Sequence, residues 1–468
     1  MSDVHTDPTA AGAAHPGRDG LTRMIPHFTT TTGWRDETLP ILKSGKGVWV
    51  EDVDGKKYLD GLSGLFCSNL GHGRADLVAA ASEQMQRLAF FPTWGAAHEP
   101  GLQLAAEITS RAPGDLDSAF FVNSGSEAVE SAIKLARTYH LATGETARHK
   151  IISRDFSYHG TTLGALSVTA VPRFREPFLP MLNDAVRNIP NTLRASAAPG
   201  GGPGDLSSLD LLEDLILAEG PETVALVIAE PVQNGGGAIV PPEGYWPRLR
   251  EICDRYGILL CADEVITAFG RLGHWFGSEK FGVVPDLLTF AKGVTSAYVP
   301  MGGVLASSRV TQTIADSSLG WFAHGSTFGA HPVASAVSLA TIDAMEKEHV
   351  LDNVRSSAPT LLTGLQAIAA ASPVIREVRG TGFFHALELV ADSGTDTDLS
   401  ADQRAGLLGG VIMRSLRSAG LLLRPDDRGP ASIVVSPPLV TDVSELGILL
   451  DRLETVVTDV AHWVAAHP

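Results

Sequence analysis

Short apolar runs alternate with longer amphipathic stretches through the middle of the chain. The runs are apolar on successive residues, which is typical of parallel strands whose two faces are both covered. The six strand candidates are Ala119–Val122, Lys150–Ser153, Thr223–Ala229, Ile258–Ala262, Leu287–Phe290 and Gly303–Ala306. Between them lie helical patterns such as Ser126–Tyr139, in which the apolar residues form one stripe. The pattern predicts an α/β fold with a mostly parallel sheet covered by helices.

The two ends of the chain differ in pattern from its middle. Gly47–Tyr58 has two apolar-alternating arms around Asp54-Gly55, which predicts a hairpin. A long Ala/Val/Leu helix is predicted after Pro332, followed by helices and a few short strands. We therefore expect a disordered tail over residues 1–25, an N-terminal segment of a small domain over 26–70, a large domain over 71–330, and a C-terminal small α+β domain over 331–468.

Composition narrows the class of protein. The chain holds 36 Lys and Arg against 53 Asp and Glu, a formal net charge of −17, and has no Lys/Arg-rich run. Because phosphate neutralisation requires concentrated basic surface, nucleic acid is not an expected partner. Three scattered cysteines form no C-x-x-C pair, so neither a disulfide framework nor a metal site is expected. With no run of 18 apolar residues and no signal-peptide pattern, we expect a cytoplasmic protein without a membrane segment.

Missing motifs exclude several enzyme classes. The sequence contains no G-x-x-x-x-G-K-[ST] and no G-x-G-x-x-G, which argues against a P-loop and against the usual dinucleotide fingerprint. It also lacks G-x-S-x-G and H-E-x-x-H, the signals of a hydrolase nucleophile and of a zinc peptidase. The remaining interpretation is an α/β enzyme with polar residues at strand ends, where open sheets bind their ligands.

Two predicted strands end in charged residues. The run ILLCADE ends in Asp263 and Glu264, and the run LLTFAK ends in Lys292. Because the carboxyl ends of parallel strands meet at one edge of the sheet, Asp263 and Lys292 could face one site. The alternative is that Asp263 caps the next helix and that Lys292 extends to solvent.

A third element adds an anion site to this amine and carboxylate. Phe120–Arg137 reads as a strand, a Ser-Gly-Ser turn and a helix, and the free N–H groups at such a helix start suit a phosphate. Serine and glycine also begin ordinary helices, so this signal is weak alone. Together the three elements match the needs of pyridoxal phosphate: an amine for the Schiff base, a carboxylate for the pyridine nitrogen and a phosphate cup.

Several long motifs in one order resemble the class III (subgroup II) aminotransferases among the fold type I pyridoxal-phosphate enzymes. The resemblance runs from about Trp34 to the C-terminus. It is carried by NSGSEAVESAIKLAR, Tyr158-His159-Gly160, Ala229-Glu230-Pro231, ADEVITAFGRLG from Ala262, AKGVTSAYVPMGG from Ala291 and HGSTFGAHP from His324. It implies a large domain with a mostly parallel seven-stranded sheet, a smaller α+β domain, pyridoxal 5′-phosphate as cofactor and a homodimer with shared active sites.

The resemblance also implies roles for individual residues. Lys292 is expected to be the Schiff-base lysine and proton shuttle, and Asp263 the partner of the pyridine nitrogen. Tyr158 is expected to stack on the cofactor ring, although it could be a core aromatic residue instead. The implied cofactor-binding residues are Gly125, Ser126, Tyr158, His159, Glu230, Asp263, Val265, Lys292 and, from the other subunit, Thr327, which could also be an ordinary turn residue.

Two departures point to one branch of that family. Members that resemble ornithine or 4-aminobutyrate aminotransferases usually have Gln where this chain has Ile266, and tend to have Glu where it has Gly235. Both features resemble instead the ω-amino acid:pyruvate branch, the ω-transaminases. The resemblance therefore implies ping-pong transfer of an amino group from a terminal primary amine or ω-amino acid to pyruvate or another oxo acid.

The same resemblance implies a substrate pocket with one mobile arginine. Arg424 matches that arginine best. Arg428 is the alternative, because this segment is about three residues longer than the usual pattern. Either could also be a surface arginine paired with Asp426 or Asp427. Phe66 and Trp94 are expected to line the apolar side. The rival functions are a racemase or aminomutase on the same scaffold, a decarboxylase, a 4-aminobutyrate-type aminotransferase using 2-oxoglutarate, and a pyridoxal-phosphate-binding regulator.

Overall fold

The computed structural model describes residues 20, 23–29, 39–193 and 206–468, so most of the tail predicted over 1–25 lies outside the described residues.

The N-terminal part of the chain forms a small antiparallel sheet. Strands β1 (Leu42–Lys46), β2 (Trp49–Asp52) and β3 (Lys57–Asp60) pair in this order. The predicted hairpin is confirmed between β2 and β3, where Oδ1 of Asp52 accepts the N–H groups of Asp54 and Lys56 at 3.0 and 2.9 Å.

The middle of the chain builds the central sheet in alternation with helices. Its elements are, in order, α1 (Ser63–Phe66), α2 (Ala75–Arg87), α3 (Glu99–Thr109), β4 (Ser118–Val122), α4 (Gly125–Ala142), β5 (Lys150–Arg154), α5 (Leu163–Val168), α6 (Pro172–Arg175), β6 (Val186–Ile189), α7 (Ser207–Glu219), β7 (Val224–Ala229), α8 (Tyr245–Tyr256), β8 (Leu259–Asp263), α9 (Gly277–Lys280), β9 (Leu287–Phe290), β10 (Gly302–Ala306) and α10 (Ser308–Ala315). Short 3₁₀ turns cover Glu176–Met181, Pro221–Thr223 and Lys292–Thr295.

The central sheet has seven strands in the order β4-β10-β9-β8-β7-β5-β6 among the described residues. Only β10 runs antiparallel to its neighbours in that sheet. Every residue of β7, β8 and β9 is buried, because helices cover both faces of the sheet. The predicted, mostly parallel seven-stranded sheet is therefore confirmed, and all six strand candidates lie in it; β6 was not predicted.

The C-terminal part mixes long helices with a second antiparallel sheet. Its elements are α11 (Pro332–Lys347), α12 (Val350–Ala371), β11 (Ile375–Thr381), β12 (Phe384–Leu389), α13 (Ala401–Gly406), a π-helical turn (Leu407–Val411), α14 (Ile412–Ser418), β13 (Leu421–Leu422), β14 (Arg424–Asp426), β15 (Ser432–Val435) and α15 (Val443–Ala465). Strands β11, β12, β15 and β14 form one sheet in that order. The helix predicted after Pro332 is confirmed as α11.

The two ends of the chain meet through β13, which pairs in parallel with β3 of the N-terminal sheet. Leu421 lies opposite Leu59, and Leu422 lies opposite Asp60. This pairing agrees with a small domain built from both ends, although the domain boundaries themselves stay a prediction. No helix within the described part of the chain is long and apolar enough to cross a membrane.

Candidate active site

The carboxyl ends of β8 and β9 open into one cavity of about 1130 Å³. Asp263 is the last residue of β8, and Lys292 follows the end of β9 by two residues; both line this cavity. The backbone of Lys292 has φ 48°, in the left-handed region that few non-glycine residues adopt, and this turns the chain sharply at the end of the strand. The predicted convergence of the two strand ends on one crevice is what the structure shows.

Asp263 is held by three donors. His159 Nδ1 lies 2.6 Å from its Oδ2, and Oδ1 accepts the hydroxyl of Thr289 at 3.0 Å and the N–H of Val265 at 3.1 Å. Thr289 lies opposite Asp263 in the parallel pairing of β8 with β9. Because Asp263 is only 4% exposed, these bonds fix the carboxylate in one orientation facing the cavity.

Lys292 lies in a cavity that disfavours its charged form. Burial lowers the pKa of its ammonium group below the ordinary value of 10.5, while Cys67 and then Asp263 act in the opposite direction. A larger share of neutral amine is what a nucleophilic lysine needs in order to react with a carbonyl group. The position of Lys292 therefore suits covalent chemistry better than a structural ion pair.

The start of α4, where the sequence predicts an anion cup, lies at the cavity. Ser124, Gly125 and Ser126 line the cavity, and Ser124 caps the helix by accepting the N–H of Glu127 on its Oγ at 3.2 Å. A Cβ on Gly125 would lie 2.9 Å from Cγ1 of Val265, so glycine lets the helix start sit directly against Val265. The first N–H groups of an 18-residue helix are thereby left free for an anion in the cavity.

Tyr158 and Glu230 form the side wall beside this cup. Oε1 of Glu230 accepts the N–H of Tyr158 at 3.2 Å, and its Oε2 accepts that of Asn234 at 2.9 Å. Burial raises the pKa of Glu230 above its ordinary value. The Tyr158 ring faces the cavity and also contacts the guanidinium of Arg428, whose Cζ lies 5.4 Å from the ring centroid.

The two candidate arginines have different surroundings. Arg428 is 3% exposed, and its Nε lies 2.9 and 3.0 Å from the two carboxylate oxygens of Asp426, with Nη2 making a further contact to Oδ2. Arg424 lines the cavity, and no described residue forms an ion pair or hydrogen bond with its guanidinium. Burial, followed by the neighbouring Arg428, lowers the pKa of Arg424 to about 10. Of the two candidate arginines, Arg424 is thus the one whose guanidinium has no ion pair among the described residues.

The predicted apolar residues fall in two places. Phe66 lines the cavity with its ring buried edge-on against Phe384, at a centroid distance of 5.5 Å. Trp94 is 69% exposed and, like Thr327, lies outside the part of this chain that lines its cavity. The Trp94 indole instead lies close to Gly325 in the loop that carries Thr327. The structure thus places Trp94 and Thr327 together on the surface.

Sequence reasoning missed one buried residue behind the cavity and two groups that line it. Thr289, which orients Asp263, could have been found by pairing the two strand ends residue by residue. Cys67 lines the cavity beside Phe66, and Leu65 adds an apolar surface that is 46% exposed. One face of the helix from Ala401 to Gly409 also lines the cavity, and no motif in the sequence signals it.

Comparison with known proteins decides the family. The class-III aminotransferase model matches residues 31–457. The chain belongs to the class-III aminotransferases. It is 45% identical to a probable aminotransferase of Mycobacterium tuberculosis (90% of each chain) and 36% identical to a putrescine–pyruvate aminotransferase of Pseudomonas aeruginosa (91% of this chain and 92% of the other). A solved (S)-enantioselective omega-transaminase from Thermomicrobium roseum superposes with TM-score 0.88 at 39% identity, covering 94% and 97% of the two chains.

This aminotransferase uses pyridoxal 5′-phosphate and has the fold type I architecture of such enzymes. The residues of the cavity fit that cofactor. A buried amine, a carboxylate oriented by a histidine and a threonine, and a helix start that only glycine permits against Val265 meet in one cavity. Each of these groups matches a different part of the cofactor: its aldehyde, its ring nitrogen and its phosphate.

Proposed function

We propose that this aminotransferase moves an amino group from a terminal primary amine or an ω-amino acid to pyruvate, in two half-reactions at one site. The observation that carries the proposal is the guanidinium of Arg424, which lines the cavity and forms no hydrogen bond or ion pair with any described residue. A buried carboxylate needs a cation, whereas an uncharged amine tail needs that cation out of the way. An arginine on a flexible stem with no fixed partner meets both requirements.

Two positions that differ between branches of the family support this assignment. A Cβ on Gly235 would lie 1.7 Å from the carbonyl oxygen of Phe156, so a glutamate cannot occupy this position without moving the backbone. The glutamate that aminotransferases of other specificity tend to carry at this position is therefore excluded here by the backbone. Ile266 lines the cavity with an apolar side chain where related aminotransferases of other specificity carry a glutamine.

The residues at the strand ends take the chemical roles. Pyridoxal phosphate supplies the electron sink that stabilises negative charge on the substrate carbon. Lys292 would bind the cofactor and, once displaced by the donor amine, move the proton at the amine-bearing carbon. Asp263 would keep a proton on the ring nitrogen, because its carboxylate is fixed toward the cavity. Tyr158 and Val265 would enclose the ring from its two faces.

We also propose that the working enzyme is a homodimer in which Thr327 completes the partner's phosphate cup. Thr327 lies in a surface loop next to the cup, since Asn123 Nδ2 donates to the Oγ of Ser326 at 2.8 Å. Around this loop lie exposed large apolar side chains, which are costly to leave in water and are typical of an interface. They are Phe91, Trp94, Trp321 and Phe328, at 50%, 69%, 75% and 53% exposure.

A panel of donors and acceptors tests the proposed reaction. Propylamine and 4-aminobutyrate are offered with pyruvate or with 2-oxoglutarate, and alanine or glutamate is measured. We expect alanine from both donors. Glutamate formed only from 4-aminobutyrate would replace the proposal with a 4-aminobutyrate-type enzyme, and neither alanine nor glutamate from any pair of donor and acceptor would contradict amino transfer.

Mixed dimers test the shared site. Lys292→Ala and Thr327→Ala chains are co-expressed with different tags, and the heterodimer is isolated. If Thr327 serves the partner's site, this heterodimer contains one intact site and should have about half of the wild-type activity, because one of the two sites is complete. A heterodimer no more active than its two parents would contradict the shared site.

A further inference from the structure

One helix face lines the outer part of the cavity and has no role so far. Its residues follow the i, i+3, i+4, i+7, i+8 spacing of a single helix face, and we call them the outer helix face. They are Ala401, Arg404, Ala405, Leu408 and Gly409. The opposite side of the helix is anchored in the protein by the buried residues Gln403 and Leu407.

Three of the five residues on this face are alanine or glycine, and Gly409 is the most informative. Two other glycines of the segment have structural reasons. A Cβ on Gly406 would lie 2.5 Å from Cη2 of Trp463, and Gly410 has φ 147°, which side chains rarely tolerate. Gly409 has neither reason: no atom of the described residues lies within 4 Å of its Cβ position, and its φ is not in the left-handed region.

Glycine inside a helix is unfavourable relative to alanine, and neither packing nor the backbone explains it at Gly409 or at Gly447 in α15, but of these two only Gly409 lines the cavity. The reason that the structure offers is the cavity, which Gly409 lines. It lies in the π-helical turn Leu407–Val411, a kind of turn that is frequent at functional sites. A side chain at this position would extend into space that is now open to a substrate.

The charges around the outer helix face are mostly positive. Arg173, Arg404, Arg424 and Arg428 all line the cavity. Two of them are neutralised, Arg428 by Asp426 and Arg173 by Asp427. Arg404 donates through Nη2 to the backbone carbonyl oxygens of Asp427 and Gly429, and neither Arg404 nor Arg424 forms an ion pair with a carboxylate of the described residues.

We propose that the outer helix face binds the tail of the amine donor, and we call it the tail site. Gly409 makes room for a long or bulky tail. Arg404 and Arg424, which have no ion pair among the described residues, exclude a tail that ends in a second ammonium group. The proposal rests on the proposed amine donor and names its class. The preferred donor is a primary amine whose far end is uncharged or anionic, and a diamine of equal length is a poor donor because like charges repel in this partly buried region.

Donors of matched length test, in the wild-type holoenzyme, the proposal that the tail site excludes a second ammonium group; we call this the charge rule. Propylamine, hexylamine, 6-aminohexanoate and 1,6-diaminohexane are compared with pyruvate as acceptor, and kcat/KM is measured by alanine formation. We expect 1,6-diaminohexane to be at least about 10-fold poorer than hexylamine, and Arg404→Gln to narrow that difference. A diamine equal to or better than hexylamine, or an unchanged difference in Arg404→Gln, would overturn the charge rule.

The role of Gly409 is tested with a matched control. Gly409→Leu should lower kcat/KM for hexylamine about 10-fold or more while leaving propylamine within about 2-fold, because only the longer tail reaches the helix. Gly447→Leu is the control, since Gly447 lies in α15 with no atom within 4 Å of its Cβ position and outside the cavity lining. Gly409→Ala should have an equal or higher melting temperature.

The outcomes separate the tail site from the proposed reaction. If Gly409→Leu affects both donors equally, or affects neither more than Gly447→Leu does, the tail site is wrong. In both cases alanine formed from propylamine by the wild-type enzyme still supports the proposed reaction. If no alanine forms from any of the amines, the proposed reaction itself fails.

Discussion

The inner and outer parts of the cavity are built in opposite ways. In the inner part, at the ends of β8 and β9, Asp263 is held by three hydrogen bonds, and Gly125 fits against Val265 without space to spare. In the outer part, no described residue pairs with the guanidinium of Arg424, and none lies within 4 Å of a Cβ placed on Gly409. Groups that are held in place suit a reaction whose chemistry is the same in every turnover. Unfilled space suits a site that must admit two substrates of different shape and charge in turn. This difference fits the proposal that the inner part determines the type of reaction and the outer part determines which substrates are accepted.

The largest effect should come from Lys292→Ala. The variant should lose overall transamination and should form no link to pyridoxal phosphate that borohydride can reduce, because no other lysine lines the described cavity. Mass spectrometry of the reduced, digested protein checks this directly. A normal cofactor adduct in the variant would remove Lys292 from its role in the inner part.

Asp263→Asn should have the next largest effect. Loss of a charge-assisted pair at a buried site should slow the half-reaction with an amine by about 10²- to 10⁴-fold, since the ring nitrogen is no longer kept protonated. Single-turnover measurement of the cofactor spectrum gives this rate. Thr289→Val, which removes one hydrogen bond to the same carboxylate, is the milder control and should cost less. An Asn variant close to wild type would contradict the assignment.

Much of the inner part could be predicted from the sequence because each piece is a local pattern. Buried strands that end in Asp263 and Lys292 are read from consecutive residues, and parallel topology then brings their ends together. The Ser-Gly-Ser turn before α4 is equally local. Thr289 was the exception, because its contact with Asp263 depends on the register between two strands.

The outer part could not be predicted because its residues come from distant segments. Arg424 and Arg428 stand four positions apart, and only the buried bidentate pair with Asp426 shows which of them is fixed. Trp94 was expected in the pocket, but within this chain it lies on the surface beside the Thr327 loop. No sequence motif signals the outer helix face, whose one charged residue is Arg404, so its proposed role follows only from where the helix packs.

Phe66→Trp tests the outer part of the cavity, and its effect on the rate should be smaller than that of Lys292→Ala or Asp263→Asn. The Phe66 ring is packed against Phe384, so a larger ring must either extend into the cavity or displace its neighbour. We expect kcat/KM for a bulky amine to fall about 3- to 10-fold while that for propylamine changes little. The melting temperature is measured alongside, because an equal loss for both amines with a lower melting temperature would indicate disrupted packing instead of a smaller pocket.

The pH dependence of cofactor binding should show the smallest effect. Burial lowers the pKa of Lys292, so the rate at which the apoenzyme takes up pyridoxal phosphate should rise with pH and reach half its limit below 10.5. Asp263 acts against this lowering, so Asp263→Asn should move the midpoint further down. Stopped-flow absorbance measures both profiles. A wild-type midpoint at or above 10.5 would show that the amine is not buried as described.

The division between the two parts is tested most directly by measuring the two half-reactions of Arg424→Ala separately. The account predicts that the half-reaction with pyruvate loses about 10- to 100-fold in kcat/KM, mainly through a higher KM, whereas the half-reaction with propylamine changes less than about 2-fold. Arg173→Ala, which removes a rim arginine already paired with Asp427, is the matched control and should affect neither. An equal loss in both half-reactions of Arg424→Ala, or a loss with pyruvate that appears only in Arg428→Ala, would contradict the account.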